Sequence, residues 1–296
     1  MVSRVIDASA GERAARPSAS MLRRAIGKFV RHPGGMVGLG LFIALVLVAV
    51  FAPAIAPHDP LRVDPIAALT PPSAEHWMGT DTLGRDVMSR VIYGTRISLR
   101  LGVVSVSIGL SLGVLIGVLA GYLGGRVDGI LMRFIDMLLA FPSLILALVA
   151  VFALGPGLTN AMIAVGISSI PAFARITRGE VLSAKENLYV QSAQALGGSE
   201  LTIMGRHILP NIIAPNIVMG ALMTGTAILA GAALSFLGLG AQSPTPEWGL
   251  MLSQGRGFMS LAWWLTFFPG LGIMVTVMAM NLLGDGLRDV LDPRIR

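Results

Sequence analysis

Six long apolar runs set the terms on which this chain can fold. Residues 34–57, 101–125, 158–173, 212–237 and 261–283 carry no Asp, Glu, Lys or Arg, and the run at 130–154 carries only Arg133 and Asp136. About 20 apolar residues in a helix cross the roughly 30 Å hydrocarbon layer of a bilayer. In lipid the backbone must satisfy its own hydrogen bonds, so runs of this kind read as spanning helices. Charged residues make up 13% of the chain, about half the usual share in a soluble domain. The expected fold class is all-α, a polytopic membrane protein with six transmembrane helices.

The polar flanks set an orientation. Residues 1–31 hold seven Lys or Arg against Asp7 and Glu12, and such an excess stays on the cytoplasmic side. Residues 1–20, rich in Ala and Ser, are expected to be disordered. Residues 21–30 suit a short basic amphipathic helix on the membrane surface. Residues 1–33 then form a cytoplasmic segment, 34–57 the first span, and 58–97 an outside loop. Residues 98–296 form a core with five further spans, and 176–211 an inside loop. Both termini are cytoplasmic. Ala52-Pro53-Ala54 resembles a signal cleavage site, but the run before it is long enough to anchor.

The spans carry their own signals. Gly109, Gly113, Gly117 and Gly121 recur every four residues, which makes one smooth face suited to close contact with another helix. Asp136 is costly at membrane depth and should face protein or water, or lie in the headgroup layer beside Arg133. Pro142 can kink the third span, and Pro171 weakens the end of the fourth. Trp248, Trp263 and Trp264 suit the interfacial belt.

Two polar stretches stand out. In 75–99, Asp81 or Thr82 can cap a helix whose apolar edge is Val87, Val91 and Ile92. Asp81, Arg85, Asp86, Arg90 and Arg96 can form a local ion network or take part in a substrate gate, and Asp136 is a further candidate for the pathway. In 183–211, Ser183 can cap a helix, with Glu186 closing a capping box. Tyr189, Ala193 and Leu196 would give that helix an apolar stripe. Gly197 and Gly198 stop it. Ser199 can start a second short helix, which Pro210 ends near Leu209.

The second stretch resembles the EAA loop of ABC-transporter permeases. Gln191-Ser192-Ala193 stands where that pattern has Glu-Ala-Ala, Gly197, Leu209 and Pro210 match in place, and His207 holds the usual Ile position. Gln191 and Ser192 depart from the pattern, which leaves the helix and its turn intact. The stretches 75–99, 235–240 (SFLGLG) and 244–249 (PTPEWG) are similar to signatures of the dipeptide, oligopeptide and nickel branch, in its second-permease type. The resemblance covers nearly all of the chain from Arg23 onward.

This resemblance implies a permease subunit of a bacterial ATP-driven importer for dipeptides or oligopeptides, lodged in the inner membrane and working by alternating access. It implies a second homologous permease chain, two ATP-binding subunits carrying ATP and Mg, and a periplasmic or lipid-anchored binding protein. Tyr189, Gln191, Ser192, Ala193, Gly197, His207, Leu209 and Pro210 would then couple to the ATPase. Rival readings are nickel or another small solute as cargo, a secondary transporter, and a membrane scaffold without transport.

The residues themselves exclude other chemistry. There is no Gly-rich loop followed by Lys and Ser or Thr for holding ATP phosphates, so no cofactor is expected in this chain. No catalytic motif is visible, and the four histidines are scattered with none forming a ligand cluster, so no metal site is expected. The absence of cysteine excludes disulfides and thiolate metal sites. The basic residues lie near span ends rather than in a stripe, which argues against nucleic acid.

Overall fold

The computed structural model describes residues 27–291. The expectations for residues 1–20, and most of that for 21–30, fall outside this range. The described chain is helical. α1 (Pro33–Ile55) starts where the His32 ring accepts a hydrogen bond from the Gly35 amide at 2.9 Å, with Pro33 in the first turn. Both features satisfy or remove donors that a helix start leaves open. Next comes an irregular loop with one short 3₁₀ turn, Pro65–Ala67. α2 (Val87–Leu123) has 37 residues, about 55 Å at 1.5 Å per residue. It ends at Gly124, whose φ is +66°.

α3 (Gly125–Leu139) and α4 (Ser143–Leu154) make up the third apolar run and are bent by 96° to one another. Pro142 therefore breaks this run instead of kinking it. Its ring fixes φ and supplies no donor, and it stands just ahead of Ser143, where α4 begins. α5 (Leu158–Lys185) continues through Pro171, which does not end the helix as the sequence suggests. Pro171 is buried, so packing offsets the lost backbone bond. α6 (Leu188–Ala195) is short. α7 (Glu200–Phe236) again has 37 residues. α8 (Trp248–Gly255) and the 3₁₀ turn Arg256–Phe258 lead to α9 (Trp264–Leu291). Among the described residues, five helices are long and apolar enough to cross a membrane, and the bent pair makes up to six.

The glycine face of α2 packs against α5 as its spacing predicts. A side chain at Gly117 would start 2.6 Å from the Ala174 oxygen and from Thr177 Cβ. One at Gly121 would start 2.9 Å from Val181 Cβ, and one at Gly109 2.8 Å from Ser169 Cβ. On the other side, Gly102 and Gly231 bring α2 against α7 through Ile228 and Leu101. α1 lies on α9 with Gly38 at Leu282 and Leu283 and Gly35 at Gly286. Its outer face leaves Val37, Ile43, Leu47 and Val50 exposed, as a lipid-facing helix requires.

The orientation has a direct test. Reporter fusions at Pro72 and Gln242 are expected to read outside, and fusions at Gly129 and Glu186 inside. A cytoplasmic signal at Pro72 overturns the topology.

Candidate functional site

The segment from Lys185 to Asn211 hangs on the end of the bundle by its apolar side. Val190, Ile203, Met204 and Ile208 are buried in one cluster with Val114, Val118, Tyr122 and Val181, which ties α6 and the start of α7 to α2 and α5. The opposite side stays open. Leu188, Leu196 and Leu201 are each about four-fifths exposed, at 79%, 88% and 79%, and Tyr189 is 43% exposed. The stripe expected from Tyr189, Ala193 and Leu196 is therefore corrected. Val190 and Ala193, three residues apart, form the inner edge, while Tyr189 and Leu196 face out. Leu196 lies beyond the last helical residue, so helical spacing no longer sets its direction.

The ends of these helices also differ in part from the expectation. Ser183 lies inside α5, not at a helix start. The break falls at Asn187, whose side-chain amide donates to the Ser183 and Ala184 oxygens at 3.2 Å each. It closes the end of α5 in place of the Ser183–Glu186 box. Gly197 has φ +76°, and the Gly198 amide donates back to the Ala193 oxygen at 3.0 Å. This is the six-to-one closure of a glycine-ended helix. Ser199 starts the next helix by accepting from the Thr202 amide at 3.4 Å. That helix does not stop at Pro210. It passes through a π-helical stretch, Ile203–Ile208, straight into the membrane run. The wider turn takes up a proline that would otherwise face an α-helical carbonyl. Gln191, Ser192, Leu209 and Pro210 are exposed and His207 is half-buried.

A second feature lies on α2, opposite its glycine face. Arg96, Arg100, Val103, Ser107 and Ser111 follow one another at helical spacing and are all exposed. Ser107 donates to the Val103 oxygen at 2.7 Å. Val103, Ser107, Ser111 and Leu112 line a groove of about 450 Å³. A polar stripe on a spanning helix belongs against protein or water, not lipid. The repeat of Arg, Arg, Ser and Ser along one face was readable in the sequence.

The third feature is a cap built by residues 58–99 and 235–268. Asp81, Arg85, Asp86 and Arg90 are all buried. Arg85 Nε donates to Asp81 at 2.7 Å, Arg90 Nε lies 3.6 Å from the same carboxylate, and Arg90 also donates to the Pro60 and Pro244 oxygens at 3.1 and 3.3 Å. Asp86, not Asp81 or Thr82, caps α2, accepting from the Ser89 amide at 2.7 Å. Asp81 instead folds its own turn, accepting from the Leu83 and Arg85 amides. Val87 and Ile92 are buried as expected. Arg96 stands outside this network. Asp136 is far from it on α3, exposed and paired with Arg175 rather than Arg133. One turn further on, Arg178 grips Asp128 with two bonds of 2.5 and 2.6 Å.

Two of the three tryptophans set aside for the interface are core residues of this cap. Trp248 and Trp264 are 1% and 4% exposed, and their indole N–H groups donate to the Val91 and Thr80 oxygens at 3.0 and 3.1 Å. Gly94 and Gly272 leave room for the Trp248 ring. Trp263 remains half exposed.

Residues 113–296 match the model of a family described as binding-protein-dependent transport system inner membrane component. The chain belongs to that family. Residues 20–72 of this permease match a second model, described as the N-terminal TM domain of oligopeptide transport permease C. The permease is 44% identical to the dipeptide transport system permease protein DppC of Alkalihalophilus pseudofirmus, over 93% of this chain and 90% of the relative. It is 50% identical to the glutathione transport system permease protein GsiD of Shigella flexneri, over 91% and 89%. Among solved structures, a chain of the inward-facing MetNI methionine ABC transporter matches with a TM-score of 0.55 at 17% identity, over 69% of this chain and 98% of that one. That likeness shows a shared fold. The permease is thus a multi-pass inner-membrane subunit of the ABC-importer type, a class of multi-subunit machines.

Within the permease cap, Glu247 is 1% exposed and starts α8 by accepting from the Gly249 and Leu250 amides at 2.9 and 2.8 Å. Burial pushes its carboxyl above the ordinary value of 4.5, and the two amide bonds pull the other way without cancelling the shift. A carboxyl with a raised folded value binds its proton more tightly in the fold than in the unfolded chain. Its contribution is therefore full below 4.5 and is lost as pH rises through the folded value. Glu247→Gln, fixed as neutral, is expected to flatten this decline in melting temperature from acid to neutral pH. Identical pH profiles for the two proteins would refute it.

Proposed function

We propose that this permease forms one half of the translocation pathway of an ATP-driven importer for small peptides, and that it moves them by alternating access. What carries the reading is the 188–211 segment, anchored by Val190, Ile203 and Ile208 while Leu188, Leu196 and Leu201 stay exposed on a polar loop. Large exposed apolar groups on a wet face mark a protein contact. The partner is an ATP-binding subunit, two per transporter, each holding its own ATP and Mg. Tyr189, Gln191, Ser192, Ala193 and Gly197 shape that contact. His207, Leu209 and Pro210 set how it joins α7.

The polar face of α2 supports a pathway between this chain and a second permease chain, because a stripe of Arg96, Arg100, Ser107 and Ser111 needs water or protein beside it. Arg96 lines that pathway. Asp136, paired with Arg175, flanks it, and the buried set Asp81, Arg85, Asp86 and Arg90 braces the outside loop above. A periplasmic or lipid-anchored binding protein delivers cargo to that outside face. In this scheme 1–33 and 176–211 lie in the cytoplasm, 58–97 outside, and both termini inside. ATP shifts the population between two packings of the spans, which requires that docking favour one of them.

Peptide as the cargo rests on relatives whose names concern dipeptides and glutathione. The test is uptake in a deletion strain carrying this permease, with labelled dipeptide, glutathione and nickel ions as separate substrates. Dipeptide or glutathione uptake that requires the permease is the expected result. Permease-dependent uptake of nickel alone overturns the peptide reading.

A further inference from the structure

Two of the four histidines meet in the fold although 18 residues separate them in sequence. We propose that His58, His76 and Asp86 bind a divalent transition-metal ion of the zinc class, which staples the outside loop to the head of α2.

The three donors come from just past the end of α1, the middle of the loop and the cap of α2. His76 Nδ1 lies 2.9 Å from Asp86 Oδ1, and His58 Nδ1 lies 3.7 Å from the same oxygen. One donor atom from each residue falls within 4.8 Å of both others. Neighbouring ligands of a tetrahedral zinc ion stand about 3.3 Å apart, given metal–ligand distances near 2.0 to 2.1 Å. Two of the edges already bracket that value. The third, between the two imidazoles, is within 4.8 Å, and their rings pack at 4.8 Å between centroids.

The surroundings are those of a metal site. His58 Nδ1 is buried and has no hydrogen-bond partner among the described residues. Such an atom asks for a ligand. Asp86 is held from behind, since its other oxygen accepts from the Ser89 amide and the Ser89 hydroxyl at 2.7 Å each. This support is the kind that orients a ligating carboxylate. A cavity of about 110 Å³ opens beside the cluster, and Asp59, Asp64 and Glu75 line it against the single cation Arg62. It gives room for a water in the fourth position and a field that favours a cation. Two imidazoles and a carboxylate suit divalent first-row transition ions such as zinc, whereas calcium and magnesium prefer oxygen alone.

The test uses the full chain, treated with chelator and placed in lipid nanodiscs. It is titrated with zinc alone against a chromogenic chelator and melted with and without zinc, with magnesium as a control. One equivalent of zinc is expected to bind and to raise the melting temperature, and magnesium to do neither. His58→Phe keeps a ring against His76 but removes the donor, and Asp86→Asn keeps the helix cap. Each is expected to weaken zinc binding by about tenfold or more, whereas His32→Ala leaves it unchanged. Cobalt offers a second readout that does not depend on stability, because a tetrahedral site gives a visible band that both variants should lose. Absence of saturable binding at one equivalent overturns the proposal. So does binding that His58→Phe and Asp86→Asn leave unchanged.

Discussion

Ala193→Pro is expected to leave the permease in the membrane at normal level, weaken co-purification of its ATP-binding subunit and abolish uptake. Ala193 sits two residues from the end of α6, half-buried on its inner edge. A proline there loses an amide donor and sets its ring against the Tyr189 carbonyl one turn back. The cost in a helix interior is about 3 kcal/mol. α6 has only eight residues, so no neighbouring turn can absorb the break. The Ala193 carbonyl also receives the Gly198 amide that closes the turn, and both docking helices lose their relative angle. The spans are built elsewhere and insert as before. Gln191→Ala should do far less, because Gln191 is exposed and makes one long bond of 3.3 Å to the Glu186 oxygen, which water can replace. The measurements are ATPase pull-down and uptake at matched expression. Full pull-down and full uptake by Ala193→Pro would remove the coupling role from this segment.

Gly113→Leu is expected to lower the melting temperature in detergent and the yield of assembled transporter. A side chain at Gly113 would overlap Phe173 Cβ and start 2.9 Å from the Ile170 oxygen and 3.0 Å from the Ala174 nitrogen. Those are backbone atoms of α5, not the tip of a flexible side chain, so the helices themselves must part. Overpacking of this kind costs about 1 to 3 kcal/mol, and more where the surroundings are stiff. Gly129→Leu is the matched control, because nothing lies within 4 Å of that position. Equal melting temperatures for the two variants would mean that the α2–α5 contact gives way without cost.

The parts of the fold legible in the sequence are those fixed by short-range patterns. Freedom from charge located the spans, the four-residue glycine spacing found the α2–α5 contact, and Gly197 marked the turn with its positive φ. Proline was the less reliable sign. Pro142 broke a helix, while Pro171 and Pro210 were carried through, because packing around Pro171 and a π-helical turn before Pro210 decide the outcome. The segment from 188 to 211 was legible as two helices and a turn, yet its buried side was misread. Which face of a short helix points inward depends on where α2 and α5 offer an apolar floor, and no local period contains that. The same holds for Trp248 and Trp264, whose partners Val91 and Thr80 are 157 and 184 residues away.

The break between α3 and α4 bears on how the third crossing is held. With 15 and 12 residues, these helices are about 22 and 18 Å long, and neither alone reaches across a bilayer of roughly 30 Å. α3 also brings Asp128 and Asp136, whose partners Arg178 and Arg175 both belong to α5. Both pairs tie the first half of the bent run to α5. The third crossing is thus held from outside its own sequence, by a helix that follows it in the chain.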